Sequence, residues 1–157
     1  MSDTAAFLRR HEGLRLTAYQ DAKGLWTWGY GTRINDPLLT AALNAGVPFT
    51  LTLHQAEALL TAGIFEATHD ARILFPSYGG LSPLRQTALI SLAYHLGRPN
   101  LSKWHGLAEA IRLMDWPRAA NEVLFKNGLS CTEISTYAGQ FPARAHETAA
   151  LFLDPPA

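Results

Sequence analysis

The sequence has little cysteine, no excess of either charge and no long hydrophobic run. Cys131 is the only cysteine in 157 residues, so the chain cannot form an internal disulfide bond. Lysine and arginine together number 13, as do aspartate and glutamate, and this balance excludes a broad basic surface for nucleic acid. Since no apolar stretch is long enough to span a bilayer, we expect no membrane insertion.

Recognisable metal and nucleophile motifs are also missing. Six histidines and one cysteine form no HExxH sequence and no other close set of ligands, which argues against a zinc peptidase or amidase. No serine lies in the glycine-flanked turn that serine hydrolases use. We therefore predict no metal and no cofactor. The N-terminal MSDTAAFLRR lacks the apolar centre of a secretory signal, so we expect action outside the cytoplasm to require another component.

The apolar pattern predicts one α+β domain, with a small sheet and mostly helices. About half of the residues are apolar, enough to bury a real core. We expect a small β-containing lobe over about 12–50 and a connecting helix over about 52–75. Residues 76–157, together with the N-terminal helix, are expected to form a helical lobe.

Glycine, proline and small polar residues predict where the helices begin and end. Gly13 is expected to end the first helix, which places Glu12 at a helix C-terminus. A capping box from Thr52 to Gln55 is expected to begin the long connecting helix. Other predicted helix starts lie at Asp36, Ser82, Ser102, Asp115 and Pro142.

The stretch RLTAYQDAKGLWTWGYGT is typical of a β-hairpin. Asp21 and Gly24 supply the turn between two runs rich in β-forming residues. Side chains alternate along a strand, so Thr27 should point to the face opposite Trp26 and Trp28.

Glu12, Asp21 and Thr27 form a candidate catalytic set. Hydrolysis of a glycosidic bond needs a proton donor for the leaving oxygen and a second polar group that stabilises the transition state or activates water. A threonine hydroxyl can donate and accept hydrogen bonds at once, which suits it to orient a water. From spacing alone, solvated acids and an ordinary strand threonine are the commoner explanation.

The segment HEGLRLTAYQDAKGLWTWGYGT resembles the catalytic segment of phage T4-type lysozymes, the muramidase endolysins of glycoside hydrolase family 24. The shared pattern is a glutamate, eight residues, an aspartate, five residues and a threonine or cysteine, followed by GYG. The resemblance continues through RQTALISLAYHLG, DWPRAANEVL and PARAHETAALF, in order and to the end of the chain.

This resemblance implies a general acid at Glu12 and a water held by Asp21 and Thr27. It implies hydrolysis, with inversion, of the β-1,4 bond between N-acetylmuramic acid and N-acetylglucosamine in bacterial peptidoglycan. Arg144 falls where the family has an arginine that pairs with the catalytic glutamate. That pairing is therefore expected here.

The resemblance also implies substrate contacts for Gly31, Tyr94 and His95. Tyr94 can equally be an ordinary core aromatic on an apolar helix face. Several family members have asparagine where His95 stands, and this departure weakens any sugar contact carried over to the position.

An endolysin of this kind is expected to be a monomer made in the host cytoplasm. It would reach the wall in the periplasm after a holin has permeabilised the membrane. Two alternatives stay open: a lytic transglycosylase, which uses one acid and no water, and an inactive lysozyme-like module that binds or localises to peptidoglycan.

Overall fold

The computed structural model describes residues 2–154, with side chains from Thr4 onward, and it confirms the α+β class. Its described residues contain a three-stranded antiparallel sheet in the order β1-β2-β3. The strands are β1 (Arg15–Gln20), β2 (Trp26–Gly29) and β3 (Thr32–Arg33). The predicted hairpin is therefore correct, and β3 extends it by a strand that the sequence pattern did not indicate.

Helices make up most of the remaining structure. The earlier ones are α1 (Ser2–Glu12), α2 (Pro37–Asn44) and α3 (Leu53–Leu74), followed by a 3-10 turn at Tyr78–Gly80. The later ones are α4 (Pro83–Leu96), α5 (Arg98–Leu101), α6 (His105–Arg112), α7 (Trp116–Leu124), α8 (Thr136–Gln140) and α9 (Pro142–Phe152). Between residues 2 and 154, no helix is both long and apolar enough to cross a bilayer.

The chain divides into two compact units, one up to Phe65 and the other from Glu66. In the first, the predicted capping box is present: Gln55 N donates to Thr52 Oγ1 (3.1 Å) and Thr52 N donates to Gln55 Oε1 (2.8 Å). Asp36 caps α2 as predicted. Its carboxylate accepts from Leu39 N at 2.8 Å.

The second unit is a helical bundle in which α9 packs against α4, α7 and α8. Apolar side chains from these helices are fully buried, including Leu89, Val123 and Phe152. Arg85 lies 3.9 Å above the Trp116 ring and donates to the Phe152 carbonyl at 3.1 Å, which caps the C-terminal end of α9.

The predicted helix start at Ser102 is wrong. Ser102 ends the short helix α5, where its hydroxyl donates to the Pro99 carbonyl at 2.9 Å. The next helix, α6, begins at His105 after Trp104. Pro99 lies in the first turn of α5, where proline costs no helix hydrogen bond.

Candidate active site

Asp21 is held in the β1–β2 turn by backbone amides. Its Oδ1 atom accepts hydrogen bonds from Lys23 N (2.8 Å) and Leu25 N (2.9 Å). The Leu25 amide has the largest effect on the pKa of Asp21 and lowers it below its ordinary value. Burial, the next largest effect, opposes this, while the Lys23 amide and the charge of Arg33 lower the pKa further. Asp21 is therefore an ionised carboxylate at neutral pH.

Thr27 lies on β2, is 5% exposed and is joined to Asp21 through the peptide groups of Leu25. Its hydroxyl donates to Leu25 O at 3.0 Å, and Asp21 N donates to the same carbonyl oxygen at 2.9 Å. Since the hydroxyl proton is used in this bond, the oxygen lone pairs of Thr27 are free to accept a hydrogen bond from water.

The alternation predicted for β2 is confirmed. Thr27 is buried, whereas Trp26 and Trp28 are partly exposed on the other face. Trp26 donates through Nε1 to Asn44 Oδ1 at 2.7 Å, so this indole connects the sheet to α2. Trp26 thus has a structural contact on the face away from Thr27.

Glu12 is the last residue of α1, and its carboxylate lies against the backbone of Gly31. Gly13 follows with a positive φ of 67°, which ends the helix as predicted. Gly31 has φ of 77° in the turn between β2 and β3, and a Cβ atom added to it would lie 3.0 Å from Glu12 Oε2. This position therefore favours glycine both for its conformation and for its lack of a side chain.

Arg144 lies in the first turn of α9 and is only 4% exposed. Its guanidinium contacts His95 Nδ1 at 3.0 Å, Ser91 Oγ at 3.3 Å and Ser91 O at 3.4 Å. A guanidinium can only donate, so Nδ1 of His95 accepts and the ring carries its proton on Nε2. The His95 ring also packs edge-on against Phe141, with centroids 4.5 Å apart. His95 therefore helps to orient Arg144.

The structure thus forms three local groups from the residues that the sequence singled out. These are Glu12 with Gly31, Asp21 with Thr27, and Arg144 with His95. The pairing of Arg144 with Glu12 stays a prediction. The same holds for the sugar contacts expected of Gly31, Tyr94 and His95.

Two features near these groups were missed from sequence. The hydrogen bonds of the Leu25 backbone leave no motif at position 25 itself. Their trace in the sequence is the five-residue spacing between Asp21 and Thr27. Glu57 accepts hydrogen bonds from Arg9 and Tyr30, and it lies too far along the chain from either for local patterns to connect them.

Among the described residues, no group of three or more His, Cys, Asp or Glu side chains could hold a metal ion.

The combination of a small antiparallel sheet, a helical bundle and two acids near the hairpin is that of a lysozyme-like α+β protein. The family model for phage lysozyme matches residues 9–145. The chain belongs to the phage lysozyme family.

Two curated relatives illustrate the range of this similarity. The chain is 37% identical over 92 residues to an endolysin of Acyrthosiphon pisum secondary endosymbiont phage 1, covering 57% of this chain and 54% of that protein. It is 28% identical over 131 residues to the pre-baseplate central spike protein Gp5 of Enterobacteria phage T4, covering 73% of this chain and 23% of that protein. The chain thus spans about half of the first relative and about a quarter of the second.

Proposed function

We propose that this protein is a phage endolysin, a glycoside hydrolase that cleaves the β-1,4 bond between N-acetylmuramic acid and N-acetylglucosamine in bacterial peptidoglycan. The observation that carries the proposal is the linkage of Asp21 and Thr27 through Leu25. It gives an ionised carboxylate and an accepting hydroxyl, which together suit the binding of one water. Membership of the phage lysozyme family supports the same chemistry.

In the proposed reaction, Glu12 is the general acid. Its carboxyl proton passes to the glycosidic oxygen as the bond from that oxygen to the anomeric carbon of N-acetylmuramic acid breaks. Water adds to the anomeric carbon and gives one proton to Asp21. Its other proton is hydrogen-bonded to Thr27. Proton exchange with solvent then returns both carboxyl groups to their starting states, and no cofactor is consumed.

Arg144 is proposed to support the acid, and Gly31, Tyr94 and His95 to contact the glycan. A water held by Asp21 on the side opposite the leaving oxygen gives inversion at the anomeric carbon. Proton NMR of a glycan oligomer early in digestion, before mutarotation, reports the anomer formed first. The α-anomer is expected, and initial release of the β-anomer would contradict the proposed role of the water.

Mass spectrometry of purified peptidoglycan after digestion tests the activity itself. Reducing muropeptides ending in N-acetylmuramic acid are the expected product. Anhydro ends would instead identify a lytic transglycosylase. If the glycan stays intact, the protein is an inactive module that binds or localises to peptidoglycan.

Neutralising Arg33 is expected to move the acid limb of the activity profile to higher pH. Asp21 accepts a proton from water only when ionised, so activity is present above its pKa and is lost as the pH falls through it. Because the Arg33 charge lowers this pKa, Arg33→Gln raises it. The shift is small, because the amide of Leu25 contributes more than Arg33 and remains in place.

The measurement is kcat/KM against pH for wild type and Arg33→Gln. Arg15→Gln is the matched control, since Arg15 is also an exposed arginine of the sheet but stacks on Tyr19 at 4.3 Å. An acid limb that moves equally in both variants, or in neither, would contradict the proposed role of Asp21.

The similarity to the central spike protein favours a second candidate, a lysozyme carried by the phage particle. We propose the free endolysin first, since the identity to the endolysin is higher. Detecting the protein in purified virions would reverse this order.

As an endolysin, the protein is proposed to be a monomer that is made in the host cytoplasm and acts on the periplasmic wall. Access would depend on a holin. Expression alone should leave cells intact until the membrane is permeabilised with chloroform, whereas immediate lysis would show that no holin is needed.

A further inference from the structure

The carboxylate of Glu57, on α3, receives hydrogen bonds from two other segments of the first unit. Arg9 on α1 donates from Nη2 to Oε2 at 2.6 Å and from Nε to Oε1 at 3.1 Å. Tyr30, in the turn that follows β2, donates its hydroxyl to Oε1 at 2.7 Å. Both carboxylate oxygens of Glu57 therefore accept hydrogen bonds: Oε2 from Arg9, and Oε1 from both Arg9 and Tyr30.

These two segments are the ones that meet at Glu12. Arg9 lies three residues before Glu12 on α1, so the two side chains are neighbours on the helix surface. Tyr30 directly precedes Gly31, whose backbone lies against the Glu12 carboxylate. A displacement of either segment would change the distance between that carboxylate and Gly31.

The charges and protonation states of Glu57, Arg9 and Tyr30 suit a stable junction, by which we mean the hydrogen bonds that join these three side chains. The Arg9 hydrogen bond, followed by that of Tyr30, lowers the pKa of Glu57 below its ordinary value. The same contact raises the pKa of Tyr30, mainly through its hydrogen bond to Glu57, so its hydroxyl keeps the proton that it donates. At neutral pH, Glu57 is an acceptor, and Arg9 and Tyr30 are both donors.

We infer that Glu57 is a positioning residue for the proposed reaction: by joining Arg9 to Tyr30, it holds the Glu12 carboxyl at a defined place beside Gly31. This inference rests on the proposed function. Side chains of Arg9 and Glu57 are 44% and 33% exposed, and exposed ion pairs contribute little to stability. The main effect of this junction should therefore be on catalysis.

Tyr30→Phe and Glu57→Gln test the inference. Each removes part of the junction while nearly preserving side-chain size. We expect kcat for cleavage of a glycan oligomer to fall about tenfold in each, because small displacements of an acid slow proton transfer strongly. KM should stay unchanged, since neither side chain is proposed to bind the sugar. Arg9→Lys, which keeps the charge and a single donor nitrogen, should be less impaired than Arg9→Met.

The matched control is Glu109→Gln in α6. Glu109 forms a two-pronged ion pair with Arg112, at 2.7 and 2.9 Å, in the second unit. Glu109→Gln therefore breaks a pair of similar geometry and should keep wild-type kcat. The inference is overturned if Tyr30→Phe and Glu57→Gln have the same kcat as this control.

The carbon-13 resonance of the Glu12 side-chain carboxyl provides a readout that does not require activity. We expect it to shift in Tyr30→Phe and Glu57→Gln and to stay in place in Glu109→Gln. An unmoved resonance in all three overturns the inference, even if the wild-type protein cleaves glycan. Failure of the wild-type protein to cleave, with a shifted resonance, would defeat the proposed function and leave the positioning role supported.

Discussion

Replacing Glu12 with glutamine is expected to lower the rate of peptidoglycan cleavage by at least about a thousandfold, because a positioned general acid contributes factors of this size. Glutamine has nearly the same shape but holds no transferable proton at neutral pH. It should therefore keep the contact with Gly31 and lose the chemistry. The measurement is the initial rate of release of reducing ends from purified peptidoglycan.

The control for this experiment is Glu66→Gln, which removes an exposed carboxylate from α3. Its rate should equal that of the wild type, which separates the role of Glu12 from a general effect of one lost charge. Thermal unfolding should give similar Tm values for all three proteins. Should Glu12→Gln retain more than a tenth of the wild-type rate while folded, another residue must donate the proton.

Gly31→Ala is expected to have the second largest effect, acting on both stability and rate. A non-glycine residue at φ of 77° is strained, at a cost of about 1–3 kcal/mol. The new methyl group would also lie 3.0 Å from Glu12 Oε2, so the carboxylate must move. We expect the cleavage rate to fall between about tenfold and about a hundredfold, since the carboxylate must move by a few tenths of an ångström and a misplacement of about 1 Å can cost about a hundredfold.

Gly46→Ala separates these two effects. Gly46 also has a positive φ, of 87°, but a Cβ atom there would meet nothing within 4 Å. It should therefore lose stability to a similar degree in urea unfolding and keep full activity. If both glycine variants keep wild-type rates, or both lose activity equally, the contact between Gly31 and Glu12 has no special importance.

Much of the fold could be predicted because its signals are local. The capping box of Thr52 and Gln55, the cap at Asp36 and the glycine after Glu12 each act within a few residues, and each forms the predicted structure. The alternation around Thr27 is likewise a property of a single strand. Such signals depend on backbone geometry that does not change with the tertiary structure.

The features that were missed depend on partners distant in sequence or on backbone groups. Strand β3 is two residues long and exists because Thr32 and Arg33 pair with β2. Ser102 is a residue type that often precedes a helix. In the structure, however, the segment around Pro99 forms helix α5, and Ser102 lies at its end. Glu57 had no visible role until folding brought Arg9 and Tyr30 to it.

The candidate site likewise contains features that the sequence predicted and features that it did not. Glu12, Asp21 and Thr27 were singled out by their spacing and by the family resemblance, and their catalytic roles stay predictions. What no pattern could supply was the connection of Asp21 to Thr27 through the backbone of Leu25. The state of Asp21 depends first on the amide of Leu25, and every residue type except proline offers an amide.

Because Asp21 depends on backbone groups, the number of residues in the turn after Asp21 matters in a different way from their types. Any residue with an N–H at position 25 can preserve the bonds of Leu25 to Asp21 and Thr27, so substitutions there should be widely accepted in a mutant library. Proline would delete the donor, and one inserted residue between Lys23 and Leu25 would separate the donor from its acceptor. Related sequences can therefore change the residue type at position 25 far more readily than the number of residues in this turn, whereas Gly24, with φ of 75°, still favours glycine.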